Sequence, residues 1–263
     1  MLLHVIFCLM ALFLTGGLVL GLGLSPWFWF GLPAAYVLCA VTYLLILLVT
    51  TIFIPNRNQG TNSPFCRFIL YHSLRWFLVL FHTEVVFEGK EKLPEEPFVL
   101  VSNHNSALDP IVTFCTLPRR KIAFVAKMSI LKIPVAGNYI AACGFLGIER
   151  NKPLQSARVI NQAADMVKES GFDFGIYPEG TRSKDGTLLP FKKGAFLLAK
   201  KAEAPMAVAL LEGTRKMRFL SLRKTTVRVK LLAVIDKKEV EGADTEALSE
   251  KTRRILLKTG NFK

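Results

Sequence analysis

The chain has 263 residues, with 34 Lys+Arg against 20 Asp+Glu and a formal net charge of +14. All of these charges lie at or beyond Arg57, so the first 56 residues are uncharged, while the remaining 207 carry about 26% charged side chains, ordinary for a soluble domain. The uncharged front excludes a wholly soluble protein, the charged remainder excludes a polytopic channel, and the apolar content excludes intrinsic disorder, which leaves one globular domain with a membrane attachment.

Leu2 to Leu24 is one apolar run, interrupted only by His4, Thr15 and glycines. Trp27-Phe28-Trp29-Phe30, between Pro26 and Pro33, reads as an aromatic turn at a membrane interface. Ala34 to Ile54 is a second apolar run of the length a helix needs to cross the hydrocarbon. Residues 1–56 are therefore expected to form a transmembrane helical hairpin. A re-entrant hairpin stays open; a cleaved signal peptide fits poorly, because the first run lacks a basic start and is too long. Arg57, Arg67 and Arg75 follow the second run and put the globular domain on the cytoplasmic face.

Between residues 57 and 82, the segment Phe65–Phe81 is apolar, but Arg67, Tyr71 and Arg75 recur every four residues. That spacing predicts an interfacial amphipathic helix with its arginines toward headgroups. The alternative is a helix of the globular core whose arginines find partners inside it.

Residues 83–263 alternate short apolar runs with helical stretches. Expected strands are Glu84–Glu88, Phe98–Ser102, Ile122–Ala126, Phe145–Glu149, Phe172–Tyr177, Met206–Leu211 and Thr226–Val234. Expected helices are Asp109–Cys115, Ser129–Ala136, Ser156–Ser170, Phe191–Lys201 and Thr245–Lys258. This alternation predicts an α/β domain with a mixed, largely parallel sheet flanked by helices. Such sheets bind ligands at the carboxyl ends of their strands, which directs attention to the residues that follow them. Five scattered cysteines without a CxxC pair suggest neither a metal knuckle nor a disulfide framework, and read as reduced thiols.

After the second expected strand comes Asn103-His104-Asn105-Ser106-Ala107-Leu108-Asp109-Pro110. An Asp five residues after a His can fold back onto one imidazole nitrogen, fix the tautomer and raise the basicity of the other nitrogen. The same residues also suit a turn in which Asn, Ser and Asp satisfy backbone groups. After the fifth strand comes Pro178-Glu179-Gly180-Thr181-Arg182-Ser183. Gly180 lets backbone approach a ligand, the Thr181 hydroxyl and nearby N–H groups can hold phosphate oxygens, Arg182 can bind them bidentately, and Glu179 can steady that arginine. A tight surface turn is the other reading. Arg150 and Lys127 end two further strands, as phosphate ligands or as solvated cations. A second basic cluster, Arg215 to Lys230, follows the sixth strand and suits an anionic leaflet or a merely solvated face.

Asn103-His104-x4-Asp109, Gly144 to Arg150, Glu179-Gly180-Thr181-Arg182 and Ala204-Pro205-Met206 stand in the order and near the spacing of the four blocks of the glycerolipid acyltransferases. The chain resembles that family from about Phe98 to Gly213, and most closely its lysophosphatidic acid acyltransferases. Val208 departs from the family where a second proline is common, and Gly147 where an aromatic is common. The resemblance implies the acyltransferase α/β fold, His104 as general base and Asp109 as its orienting partner. It matches Arg150, Glu179, Gly180, Thr181 and Arg182 to positions linked to the acceptor's glycerol phosphate, with Lys127 as an extension of that site.

The implied reaction moves an acyl chain from acyl-CoA or acyl carrier protein to lysophosphatidic acid, with no cofactor and no metal. The implied partners are a membrane bilayer, a lyso-phospholipid acceptor and one of those two thioester donors, and no nucleic acid. Another lyso-lipid acceptor, such as a lyso-amino-acid lipid, or a silent lipid-binding protein is an alternative. A Ser/His/Asp hydrolase fits poorly, because there is no Gly-x-Ser-x-Gly elbow.

Overall fold

The computed structural model describes residues 2–22, 28–54, 60–149, 151–260 and 262. Its strands, among those residues, are β1 (Thr83–Glu88), β2 (Val99–Ser102), β3 (Ile122–Lys127), β4 (Leu146–Ile148), β5 (Asp173–Ile176), β6 (Met206–Glu212) and β7 (Thr225–Ile235). The helices are α1 (Leu2–Leu22), α2 (Phe28–Thr50), α3 (Pro64–Leu80), α4 (Asp109–Thr116), α5 (Met128–Leu131), α6 (Ala136–Ala142), α7 (Pro153–Ser170), α8 (Gly194–Ala202), α9 (Lys237–Gly242) and α10 (Thr245–Thr259). The strands form one sheet in the order β1-β7-β6-β2-β5-β3-β4. From β6 to β4 neighbouring strands run parallel, β7 is antiparallel to β6, and β1 follows the direction of β7. The mixed, largely parallel sheet expected from the sequence is what forms.

Crossovers set the layers. The connection from β2 to β3 moves one way along the sheet; those from β4 to β5 and from β5 to β6 move the other way. Right-handed crossovers therefore put α4 on one face and α7 and α8 on the other. With both faces covered, β2 and β5 are buried at every residue, and Phe98, Phe124 and Phe174 fill the core between the layers. The five cysteines are unpaired; burial pushes the Cys115 and Cys143 thiols up to about 12, so neither is a nucleophile at neutral pH.

Three expectations need correction. The single helix over Ser129–Ala136 is two short ones, because Pro134 cannot continue a helix and Val135 takes a left-handed φ of 63°. The helix expected from Phe191 starts at Gly194, because the Lys192 N–H donates to Pro178 O at 2.7 Å and not along a helix. The aromatic turn is largely helix: Phe28 already lies in α2, which carries Pro33 in its second turn, and Trp27 falls outside the described residues.

At the front, α1 and α2 lie against each other in opposite directions. A Cβ on Gly31 would sit 3.2 Å from Thr15, whereas Tyr36 receives the His4 ring and the edge of Phe7. Both helices are apolar and expose Phe13, Val37, Leu38 and Leu45 by half or more. Gly31–Phe53, 23 residues, is long and apolar enough to cross a membrane, while Leu2–Gly16 is apolar but shorter. The pair rests on α3, where the Trp76 Nε1–H donates to Tyr36 Oη at 2.9 Å and Tyr43 Oη meets Ser73 Oγ at 2.7 Å.

The α3 helix itself departs from the expected orientation. Ser63 caps it and Pro64 opens it, as both residue types favour. Arg67, however, points into the domain. Its guanidinium donates to Ile122 O at 2.9 Å, Cys143 O at 2.7 Å and Asn62 Oδ1 at 3.2 Å, between the Phe114 and Phe172 rings. Those carbonyls stand at the amino ends of β3 and β4, so Arg67 fixes the start of α3 to that edge of the sheet. Phe65 and Phe68 are the residues this helix turns outward.

Candidate active site

Two loops leave the carboxyl ends of neighbouring strands, residues 103–108 from β2 and 177–190 from β5, and the pairing of β2 with β5 sets them side by side. In the first loop the His104 imidazole Nδ1 lies 2.8 Å from Asp109 Oδ2. The same oxygen accepts the N–H groups of Asn105 at 2.7 Å and Ser106 at 2.8 Å. Asp109 is fully buried and opens α4, where its charge also favours the helix amino end. The turn-forming role and the His-orienting role, open alternatives in the sequence, belong to the same carboxylate. An ionised Asp accepts only, so Nδ1 carries the proton and Nε2 is left basic. About 13% of the His104 side chain stays open to solvent.

The second loop holds the first by its backbone. Glu179 is buried; its Oε1 accepts the His104 N–H at 2.7 Å and its Oε2 accepts the Leu189 N–H at 2.9 Å. The His104 carbonyl in turn accepts the Ser183 N–H at 2.9 Å. Glu179 therefore does not steady Arg182, as its position in the motif suggested; both of its oxygens face backbone. Burial pushes its carboxyl above the ordinary range, against the pull of those two N–H groups.

Three further residues support the pair; Asn103 and Ser183 stand in the quoted motifs without an assigned role, and Tyr177 ends the expected strand. Asn103 bonds both ways to Leu211 of β6, Oδ1 accepting from N at 2.8 Å and Nδ2 donating to O at 3.0 Å. Ser183 is the one just named. Tyr177 stacks on the His104 ring with centroids 4.3 Å apart and planes 15° from parallel. Phe124 stacks behind Tyr177 at 5.9 Å, over Gly175, where any Cβ would lie 2.1 Å from the Phe124 ring. Burial, with the Asp109 charge nearby, pushes the Tyr177 phenol well up, so a neutral ring faces His104. The sequence signals available were the polar Asn and aromatic Tyr at strand ends, but their partners are remote in the chain.

The cationic side is built differently. Gly180 takes a φ of 64°, and the Lys192 side chain lies over it, with its Nζ 3.2 Å from where a Cβ would stand. Thr181 and Arg182 are exposed on the same loop, and Lys127 is exposed at the end of β3, the next strand over. Arg150 lies outside the described residues. Gly147, where the family commonly has an aromatic, leaves room that Met128 and Leu131 fill; a Cβ there would meet both side chains within 3 Å.

Comparison with known proteins bears on the family and the fold. The family model described as Acyltransferase matches residues 84–218. The chain is 35% identical over 181 residues to the chloroplastic 1-acyl-sn-glycerol-3-phosphate acyltransferase BAT2 of Brassica napus, covering 66% of this chain and 50% of that protein. It thus spans about half the length of that plant relative. It is 28% identical over 245 residues to the human 1-acyl-sn-glycerol-3-phosphate acyltransferase alpha, covering 89% of this chain and 84% of that one. Among solved structures it is similar to the 1-acyl-sn-glycerophosphate (LPA) acyltransferase PlsC of Thermotoga maritima, with a TM-score of 0.61 and 26% identity over 84% of this chain and 91% of the other.

Proposed function

The chain belongs to the acyltransferase family, and on that premise we propose that it transfers a fatty acyl chain from a thioester donor to the free sn-2 hydroxyl of lysophosphatidic acid, giving phosphatidic acid. The observation that carries this reading is the His104–Asp109 pair, held at 2.8 Å at the carboxyl edge of the sheet beside the Glu-Gly-Thr-Arg loop.

His104 Nε2 takes the proton from the acceptor hydroxyl as its oxygen attacks the thioester carbonyl. The tetrahedral intermediate collapses, the C–S bond breaks, and the imidazolium returns the proton to the thiolate. Asp109 keeps Nδ1–H in place throughout and stabilises the transient positive charge. The Tyr177 ring face adds a cation–π attraction to that imidazolium. Arg182, Thr181 and Lys127 receive the acceptor's phosphate, which fixes its glycerol hydroxyl next to His104 and lowers the entropic part of the barrier. Arg150 is assigned the same phosphate role on its motif alone. Glu179 and Gly180 shape the loop. The α1–α2 pair attaches the enzyme to the membrane in which its lipid acceptor and product reside, with the globular domain on the cytoplasmic face.

The test is an acyl-transfer assay on detergent-purified protein, offering lysophosphatidic acid beside other lyso-lipids, with acyl-CoA and acyl carrier protein as parallel donors. Phosphatidic acid formed by the wild type and lost in His104→Ala is the expected outcome. Transfer only to a different lyso-lipid overturns the acceptor and keeps the chemistry. No transfer from folded protein overturns both.

A further inference from the structure

The loop between β6 and β7, Met217–Lys224, places apolar side chains in solvent. Phe219 is 60% exposed, Leu220 65% and Leu222 96%. The loop is nonetheless held firmly. The Leu220 N–H donates to Leu80 O at 2.9 Å, the Thr225 N–H to His82 O at 3.0 Å, and the Phe219 ring meets Phe81 edge-on at 5.6 Å. Leu220 adopts a left-handed φ of 52°, a conformation an L residue with a branched side chain rarely accepts. A strained backbone and well-made anchors thus hold three apolar side chains with more than half of their surface in water.

Charge identifies the missing neighbour. From Gly213 to Lys224 there is no acidic residue, while Arg215, Lys216, Arg218, Arg223 and Lys224 flank the apolar tip. Apolar side chains ringed by cations match the two layers of an anionic leaflet, acyl chains below and phosphates above. Lys224 is paired with Glu84 at 2.9 Å, which leaves Arg218 and Arg223 as the exposed guanidinium groups nearest the tip.

Position agrees. The α3 helix runs from the amino edge of the parallel strands to their carboxyl edge, and its last residues are those that hold the loop. The α2 helix lies antiparallel to α3 and meets it at Tyr36–Trp76. Beyond that contact α3 continues for four residues, about 6 Å, and α2 for eight, about 12 Å, so the joined ends of α1 and α2 project past α3 on the side where the loop stands. The loops that carry His104 and Glu179 leave the same edge of the sheet.

We propose that Met217–Lys224 is a second membrane contact: an apolar tip that enters an anionic leaflet under Arg218 and Arg223 and seats the active-site edge of the domain against the bilayer. Its orientation rests on the reading of α1–α2 as the membrane attachment. With two attachments at one edge, the domain cannot swing on its anchor, and the site opens toward the lipid from which the acceptor comes.

The test uses the full chain with an environment-sensitive thiol label. Four of the five cysteines are buried, so Cys8→Ser provides the background. Single labels go on Leu222→Cys in the loop, Phe13→Cys in the projecting part of α1 and Glu169→Cys near the end of α7, at the amino edge of the sheet. The protein is reconstituted into phosphatidylcholine vesicles containing phosphatidylglycerol, with brominated acyl chains as quencher. Blue-shifted, quenchable emission at 222 and aqueous emission at 169 is the expected result. It returns to aqueous at 222 when Arg218→Glu and Arg223→Glu are combined, with no change at 13. Aqueous emission at 222 in the parent protein overturns the proposal whatever 13 reports. Aqueous emission at 13 is what overturns the reading of α1–α2, so the two ideas fail separately.

Discussion

The two halves of the candidate site are built on opposite plans. Around His104 every support is buried and redundant: Asp109 Oδ2 takes three donors, Glu179 takes two, and Asn103 bonds twice to Leu211. On the cationic side Thr181 and Arg182 are exposed on the loop after β5, and Lys127 is exposed at the end of β3. The first half supplies geometry that exists before substrate arrives, which is what proton transfer requires. The second supplies charge that adapts to a ligand, which is enough to hold a phosphate. The difference predicts that damage to the buried half appears in kcat and damage to the exposed half in KM.

The sharpest test is His104→Ala, which should lower kcat by about 10²–10⁴-fold with little change in KM or in thermal stability. Arg182→Ala comes next: loss of one charge-assisted contact of about 1.5–3 kcal/mol should raise KM for the lyso-lipid by about 10–100-fold. Equal losses of kcat in these two variants would break the comparison. Glu179→Gln presents an amide N–H to a backbone N–H and should cost about 1–3 kcal/mol of stability by denaturant melt, with a drop in kcat as the His104 loop loosens. Its pH dependence carries a sign. Because burial raises the folded-state pKa of Glu179, ionising it works against the fold. The stability advantage of wild type over Glu179→Gln should therefore be largest at acid pH and shrink as pH rises through the raised value.

Smaller effects sharpen the boundary between the halves. Tyr177→Leu removes the stacked ring and should cost about 1 kcal/mol in the transition state, roughly fivefold in kcat, while Tyr177→Phe keeps the stack and most of the rate. Lys127→Ala should change KM by no more than about fivefold, the scale of an exposed charge, and this contribution should fade in high salt. A Lys127→Ala variant that lost kcat and not KM would move that residue to the catalytic side.

The strand positions and both motif loops were legible because they depend on local pattern. Continuous apolar runs such as Phe98–Ser102 and Phe172–Tyr177 have few alternatives to a covered strand, and His104-x4-Asp109 closes within one turn. What escaped depends on residues far apart in the chain. Glu179 reaches His104 across 75 positions, and Arg67 reaches Cys143 across 76. An arginine stripe every fourth residue is the same pattern whether it faces lipid headgroups or, as Arg67 does, the carbonyls of β-strand ends. The break between α5 and α6 was present locally in Pro134; the positive φ of Val135, in a tight turn closed by the Ala136 N–H donating to Pro134 O at 2.7 Å, is one a branched residue does not announce.

The Asn103–Leu211 bonds also set a clock on synthesis. Their partners are 108 residues apart, so at about 5–20 residues per second the ribosome makes Leu211 roughly 5–20 s after Asn103. Over that interval α1 and α2 are already made, while β6 is still missing from beside β2 and the His104 loop lacks the Leu211 part of its frame. On the proposed reading of α1–α2 as the membrane attachment, a translation arrest anywhere before β6 should yield a chain that still binds membrane but has no assembled site.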